Sequence, residues 1–151
     1  VVKIPEPQLQ LVSLNDRVAA CKMFMETVCR NRNITLHLTL CDENPHVRMD
    51  TSLFEQVLVN IIKNAAESIG EEGNIFIRTS VFPTMLEIAD TGAGISKEVE
   101  AKLFSPFFST KPNGQGIGLI FIREVLMKHG CTFSLRTYSD GLTRFRIRFS
   151  A

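Results

Sequence analysis

The chain has 151 residues, 44% of them hydrophobic, and carries 17 basic against 16 acidic side chains for a formal net charge of +1. That composition fits one compact domain with its own core, and the even charge argues against nucleic acid or an acidic membrane surface as a partner. No apolar run reaches the length of a transmembrane helix and no signal-peptide pattern is present, so this domain is expected to make no membrane contact.

The chain opens on Val1 rather than Met and reads as a piece of a longer protein, whose other parts have room for membrane spans. Val1–Val12 contains Pro5 and Pro7 and reads as an extended lead-in. Residues 1–13 are taken as a linker and 14–151 as the folded domain. Asn15 is a plausible N-cap for a helix reaching about Arg30, with Val18, Cys21, Phe24, Met25 and Val28 as its buried stripe. Ile34–Leu40 alternates strictly and predicts a strand, and His46–Arg48 predicts a short one. Asp50 and Thr51 offer caps for a helix over Ser52–Ile69, which Gly70 and Gly73 end.

Two strands follow, Asn74–Val81 and Met85–Asp90, joined at Phe82-Pro83-Thr84 as a hairpin. After a long segment, Thr91–Gln115, a helix covers Gly116–His129 and buries Leu119, Ile122, Val125 and Leu126. Thr132–Tyr138 and Thr143–Phe149 form a second hairpin around Asp140-Gly141. The expected class is α/β (α+β): a two-layer sandwich with a mixed, mostly antiparallel sheet and helices on one face. Cys21, Cys29, Cys41 and Cys131 form no CxxC pair, and His37, His46 and His129 show no ligand spacing. The cysteines are read as reduced thiols and the histidines as structural or surface residues.

The helix NIIKNAAES, Asn60–Ser68, poses the first functional question. Phe54, Val57, Leu58, Ile61, Ala65 and Ile69 share one face, while Gln56, Asn60, Asn64 and Glu67 share the other. Asn is a mediocre helix former, about half a kcal/mol worse than Ala, and a solvated stripe more often holds Lys, Glu or Gln. Ordinary exposure explains the two asparagines if this helix is taken alone; carboxamides facing a ligand or a hard cation are the sharper alternative. Two glycine clusters add to that alternative. DTGAGI, Asp90–Ile95, ends a strand, and GQGIGL, Gly114–Leu119, opens a helix whose free N–H groups suit a phosphate. GxxxxGK[ST] is absent and the GxGxxG spacing fails, which excludes a P-loop and a Rossmann site. Between the clusters lies a long loop with Leu103, Phe104, Phe107 and Phe108, read as a lid over about residues 96–115 held by little beyond its phenylalanines. Lys102 and Lys111 have the reach to touch a phosphate, although a surface lysine needs no such role.

Together the four pieces resemble the catalytic, ATP-binding domain of sensor histidine kinases, within the GHKL superfamily that also includes DNA gyrase, the MutL proteins and a heat-shock chaperone. NIIKNAAES resembles the N box, DTGAGI the first glycine box, LFSPFFSTK the F box and GQGIGL the second glycine box. PFFSTK is similar to the nitrogen-regulation kinases, and the lead-in is similar to the segment that follows the phosphoacceptor helices. The resemblance implies the Bergerat fold, binding of ATP with Mg²⁺, and transfer of the γ-phosphate to a histidine on a separate phosphoacceptor domain. It implies that Asn64 is the Mg²⁺ ligand, that Asn60 faces the phosphates, and that Asp90 accepts a hydrogen bond from the adenine amine. It makes Asn60, Asn64 and Lys111 the catalytic set. It also implies that Gly92, Gly94, Ile95, Phe104, Thr110, Lys111, Gly114, Gly116, Ile117, Gly118 and Leu119 surround the nucleotide.

In the gyrase-like ATPases the position of Asn60 is a glutamate that activates water, which Asn cannot do. Kinase chemistry is therefore expected rather than brisk hydrolysis, the alternative being an ATPase that drives conformational change. No phosphoacceptor box is present. The implied setting is the cytoplasm, with a response regulator as indirect partner and a monomer expected for this domain alone. Cys131 and Leu142 depart from the family pattern at positions expected to lie away from the site.

Overall fold

The computed structural model describes residues 3–105 and 117–150. In chain order the elements are β1 (Gln10–Ser13), α1 (Leu14–Ala20), α2 (Lys22–Arg30), β2 (Ile34–Thr39), β3 (His46–Met49) and α3 (Thr51–Ile69). Then come β4 (Gly73–Ser80), β5 (Met85–Asp90), α4 (Lys97–Glu100), α5 (Ile117–Lys128), β6 (Thr132–Thr137) and β7 (Thr143–Arg148). The main sheet runs β2-β4-β5-β7-β6, with β2 parallel to β4 and every other pair antiparallel.

Strand alternation separates the two faces of this sheet. Ile75, Ile77, Leu86, Ile88, Phe145 and Ile147 are buried on one face, against the helices. Helix α3 packs on β4 and β5, α2 on β2, and α5 on both α3 and β6. The expected two-layer, mostly antiparallel arrangement is what the chain adopts.

Two local features differ from the sequence expectation. The first helix is capped by Ser13, whose hydroxyl accepts the Asp16 N–H at 3.1 Å, and not by Asn15. Asn15 instead lies inside the first turn and ties it to the sheet, donating to the Cys41 carbonyl and accepting from Thr79 Oγ1, both at 2.7 Å. The helix also breaks at Cys21 into α1 and α2. Val18, Cys21, Met25 and Cys29 stay in one buried stripe through the break, while Phe24 lies off it and is 38% exposed. The lead-in ends in β1, which pairs antiparallel with β3 as a separate two-stranded sheet.

Asp50 organises the start of α3. Its carboxylate accepts the Leu53 N–H at 3.1 Å as an N-cap and the Gln8 N–H at 2.9 Å from the lead-in. Its own N–H donates to His129 Nε2 at 3.0 Å. That ring therefore carries its hydrogen on Nδ1, which donates to the Val125 carbonyl at 2.8 Å. His129 thus joins the end of α5 to the start of α3, in keeping with the structural role expected for it. The Gln8 and Leu53 amides hold the Asp50 carboxyl below the usual carboxylate range.

Asp50→Ala is expected to cost about 1–2 kcal/mol of stability, as loss of a capping carboxylate does. Because the folded pKa is lowered, this contribution is present at neutral pH and lost as pH falls through the carboxylate range. Urea titrations should therefore separate variant and parent at neutral pH and bring them together in acid.

The cysteines are all free: Cys21, Cys29 and Cys131 are buried and Cys41 is partly so. Burial pushes the Cys131 thiol up to about 11, which keeps it protonated and inert.

Candidate functional site

The polar stripe of α3 leads to the end of β5. Asn60 and Asn64 are half-buried, one turn apart, and Ser68 is one turn further on. The Ser68 carbonyl accepts the Ala93 N–H at 3.3 Å, which docks the loop after β5 onto the last turn of α3. This contact brings Asp90 and Gly92 alongside the asparagine stripe, so the two motifs that the sequence separates by thirty residues meet here.

Asp90 points to the helix side of the sheet and is 5% exposed. Its Oδ1 accepts the Gly92 N–H at 2.9 Å, and Oδ2 has no hydrogen-bond partner among the described residues. Burial raises the carboxyl to about 6, against the lowering effect of the Gly92 amide. A buried carboxylate with one oxygen occupied and the other uncommitted is an acceptor aimed at a donor-bearing ligand.

Gly92 is required by close approach. A Cβ there would lie 2.8 Å from the Ser68 carbonyl carbon and 2.8 Å from Asp90 Oδ1. Gly94 has φ of +81°, the left-handed region that favours glycine. Gly118, in the first turn of α5, is different: a Cβ there would meet nothing within 4 Å among the described residues. The packing of the protein itself thus explains Gly92 but not Gly118.

Gly92→Ala is expected to destabilise the domain by about 1–3 kcal/mol through overpacking. Gly118→Ala should stabilise it by up to about 1 kcal/mol through helix propensity. Thermal unfolding of the two nucleotide-free variants checks both signs.

Thr137 and Thr143 belong to the site, and sequence reasoning missed them. Thr143 is buried and lies opposite Asp90 in the β5–β7 register. Its hydroxyl is 2.7 Å from that of Thr137, which in turn accepts the Ile95 N–H at 2.8 Å. The pair therefore holds the glycine loop from below. Leu142, expected away from the site, closes the β6–β7 turn: its N–H donates to Asp140 Oδ1 at 3.0 Å and its carbonyl accepts the Tyr138 N–H at 2.9 Å. Two threonines in alternating strands carry no sequence signal of their own.

The start of the lid is firmer than expected. Ser96 caps the short helix α4, and Glu100 accepts the Thr137 N–H at 3.1 Å. Leu103 is buried, and Phe104 packs edge-on against Phe133 and Phe145 with ring centroids 5.2 and 6.2 Å apart. Backbone and carboxylate bonds thus join the phenylalanines in holding residues 96–105. Leu119 packs partly buried against the core, while Lys102 is exposed. Phe107, Phe108, Thr110, Lys111, Gly114 and Gly116 lie outside the described residues, as does the side chain of Ile117.

Comparison with known proteins agrees with this geometry. Residues 49–151 match the family described as histidine kinase-, DNA gyrase B-, and HSP90-like ATPase, and the chain belongs to it. It is 32% identical to the C4-dicarboxylate transport sensor protein DctS of Rhodobacter capsulatus, over 97% of this chain and 23% of that protein. It is 30% identical to the sensor histidine kinase ZraS of Escherichia coli O157:H7, over 97% of this chain and 32% of that protein. The chain thus spans a third or less of these relatives. Among solved structures it is similar to the catalytic domain of histidine kinase ThkA, with a TM-score of 0.84 and 28% identity over 94% of this chain and 95% of that one. The fold is that of the histidine-kinase catalytic domain.

Proposed function

We propose that this chain binds Mg-ATP and presents the γ-phosphate to a histidine on a separate helical phosphoacceptor domain of the same sensor kinase. The observation that carries the reading is Asp90, a buried carboxylate at a strand end, with one oxygen held by Gly92 and the other uncommitted. Such an acceptor pairs with the exocyclic amine of adenine and rejects guanine, which presents a carbonyl there. The Asn60 and Asn64 carboxamides then face the phosphates. Thr110, Lys111, Gly114, Gly116 and the Ile117 side chain are assigned to the nucleotide by motif alone.

The donor set fits a hard cation with few protein ligands. Among the described residues no group of three His, Cys, Asp or Glu is placed to hold a metal. Mg²⁺ commonly keeps waters and phosphate oxygens and takes only one or two protein oxygens, and the Asn64 carboxamide supplies one. When bound, the cation neutralises charge on the phosphate oxygens. The chain's own part is to orient the nucleotide, since phosphoryl transfer depends mostly on positioning and charge stabilisation. Asn60 has no base to offer water, which favours transfer over hydrolysis.

A response regulator is the expected downstream partner; ThkA has been solved with its response regulator TrrA. No helix among the described residues is long and apolar enough to cross a membrane, and a cytoplasmic setting suits an ATP-dependent domain. The test supplies γ-labelled ATP to the chain alone and then with the phosphoacceptor domain of its full-length protein. Acid-labile label on the added domain is expected, with none on the chain alone. Brisk phosphate release by the chain alone would favour an ATPase instead.

A further inference from the structure

The sheet face opposite the helices carries a concentration of arginine that the nucleotide site does not use. Arg144, Arg146 and Arg148 occupy alternate positions of β7, opposite Ala89, Glu87 and Met85 of β5. Arg136 on β6 stands directly opposite Arg144, and Arg78 on β4 directly opposite Glu87. Five guanidinium groups therefore share one face with the carboxylates of Glu87 and Asp140, in a chain whose net charge is only +1.

The cluster is built rather than merely solvated. Three arginines converge on Glu87: Arg146 Nε at 2.8 Å, Arg78 at 3.4 Å and Arg144 Nε at 3.6 Å. Asp140 takes Arg144 at 2.7 Å. The Tyr138 ring lies 4.9 and 4.6 Å from the guanidinium carbons of Arg144 and Arg146. These contacts hold Arg144 and Arg146 in place; Arg144 spends its fork on Asp140, at 3.2 and 2.7 Å, while Arg136 and Arg148 stand exposed on either side. Like charges directly opposite each other, as Arg136 and Arg144 are, weaken strand pairing. Edge protection is no explanation for the row on β7, because β7 is an interior strand.

We propose that this open face is a docking surface for an acidic polypeptide segment in extended conformation, with carboxylates at alternate positions. Alternate residues of a strand stand about 7 Å apart, the same spacing as the arginines along β7. The exposed guanidinium forks of Arg136 and Arg148 suit bidentate pairing with carboxylates. Beside them the stacked rings of His37 and Phe76, with centroids 4.5 Å apart, add an aromatic platform. Arg and Tyr together are a composition typical of protein–protein hot spots.

The probe is a synthetic dodecapeptide of alternating Glu and Ser, titrated into the isotopically labelled chain and followed by the backbone amides and arginine Nε–Hε signals. Saturating shifts are expected on β4, β5 and β7, including Arg78, Arg144 and Arg146. The double variant Arg136→Glu/Arg148→Glu changes exposed positions and should bind the peptide at least about tenfold more weakly. It should keep parental nucleotide affinity, which reports an intact fold. If that variant fails to fold, the map on the parent chain decides alone. No shifts on this face, or unchanged peptide affinity in a folded double variant, would overturn the proposal. So would tighter binding of oligothymidylate, or of phosphatidylserine vesicles, than of the peptide. The exposed Phe82 at the β4–β5 turn makes the vesicle arm a stringent one.

Discussion

Asp90→Ala should weaken ATP binding by about a hundredfold, while Asp90→Asn should cost about tenfold, roughly 1.4 kcal/mol. Asn can turn its amide oxygen toward the adenine amine, whereas Ala leaves that donor unpaired in a buried site. Stability should move the other way. Burial raises the Asp90 carboxyl to about 6, above the value of an unfolded chain, so the folded state holds this proton more tightly. Stability from this group is therefore greatest below pH ~4, falls as pH rises toward ~6, and stays reduced at neutral pH. Asp90→Asn removes that effect, so the nucleotide-free variant should be more stable than the parent at neutral pH by on the order of 1–3 kcal/mol. At pH ~4 the difference should shrink. Calorimetric ATP titration and urea unfolding across pH check the two halves. Unchanged affinity in folded Asp90→Ala would end the adenine assignment. Binding by the parent should also weaken as pH falls through about 6, where the carboxylate is neutralised.

Asn64→Ala should remove phosphoryl transfer to the added phosphoacceptor domain by about a hundredfold or more, the scale of losing one group that stabilises transferring charge. On the proposed reading the nucleotide base keeps its contact with Asp90, so affinity without Mg²⁺ should change little. The gain in affinity on adding Mg²⁺ should largely disappear. Titrations with and without the cation, alongside the labelled transfer assay, separate the two effects. An equal Mg²⁺ enhancement in variant and parent would rule Asn64 out as the ligand.

What the sequence revealed follows from where its signals are periodic. Strict alternation located β2, and helical spacing with the Asp50 cap located α3 to within a residue. Those same patterns announced the two-layer fold. The asparagine stripe and DTGAGI were legible because Asn in a helix and paired glycines after a strand are both unfavourable without a reason. Thr137 and Thr143 were not legible, because threonine is ordinary in strands and their pairing depends on the β6–β7 register. The break at Cys21 was equally hidden, since the apolar spacing runs through it without a Gly or Pro. The short strand β1 owes its existence to pairing with β3, a partner more than thirty residues away.

The junction at Asp50 has a mechanical consequence. One residue is bonded at once to the incoming chain at Gln8, to the first turn of α3 and, through His129, to the last turn of α5. Glu6 and Lys128, 3.8 Å apart, add a second tie between the lead-in and α5. The two helices that bear the asparagines and Gly118 therefore share one anchoring point with the lead-in. Pulling on the chain at Gln8 loads the carboxylate that caps α3 and, through the Asp50 backbone N–H, the ring that ends α5.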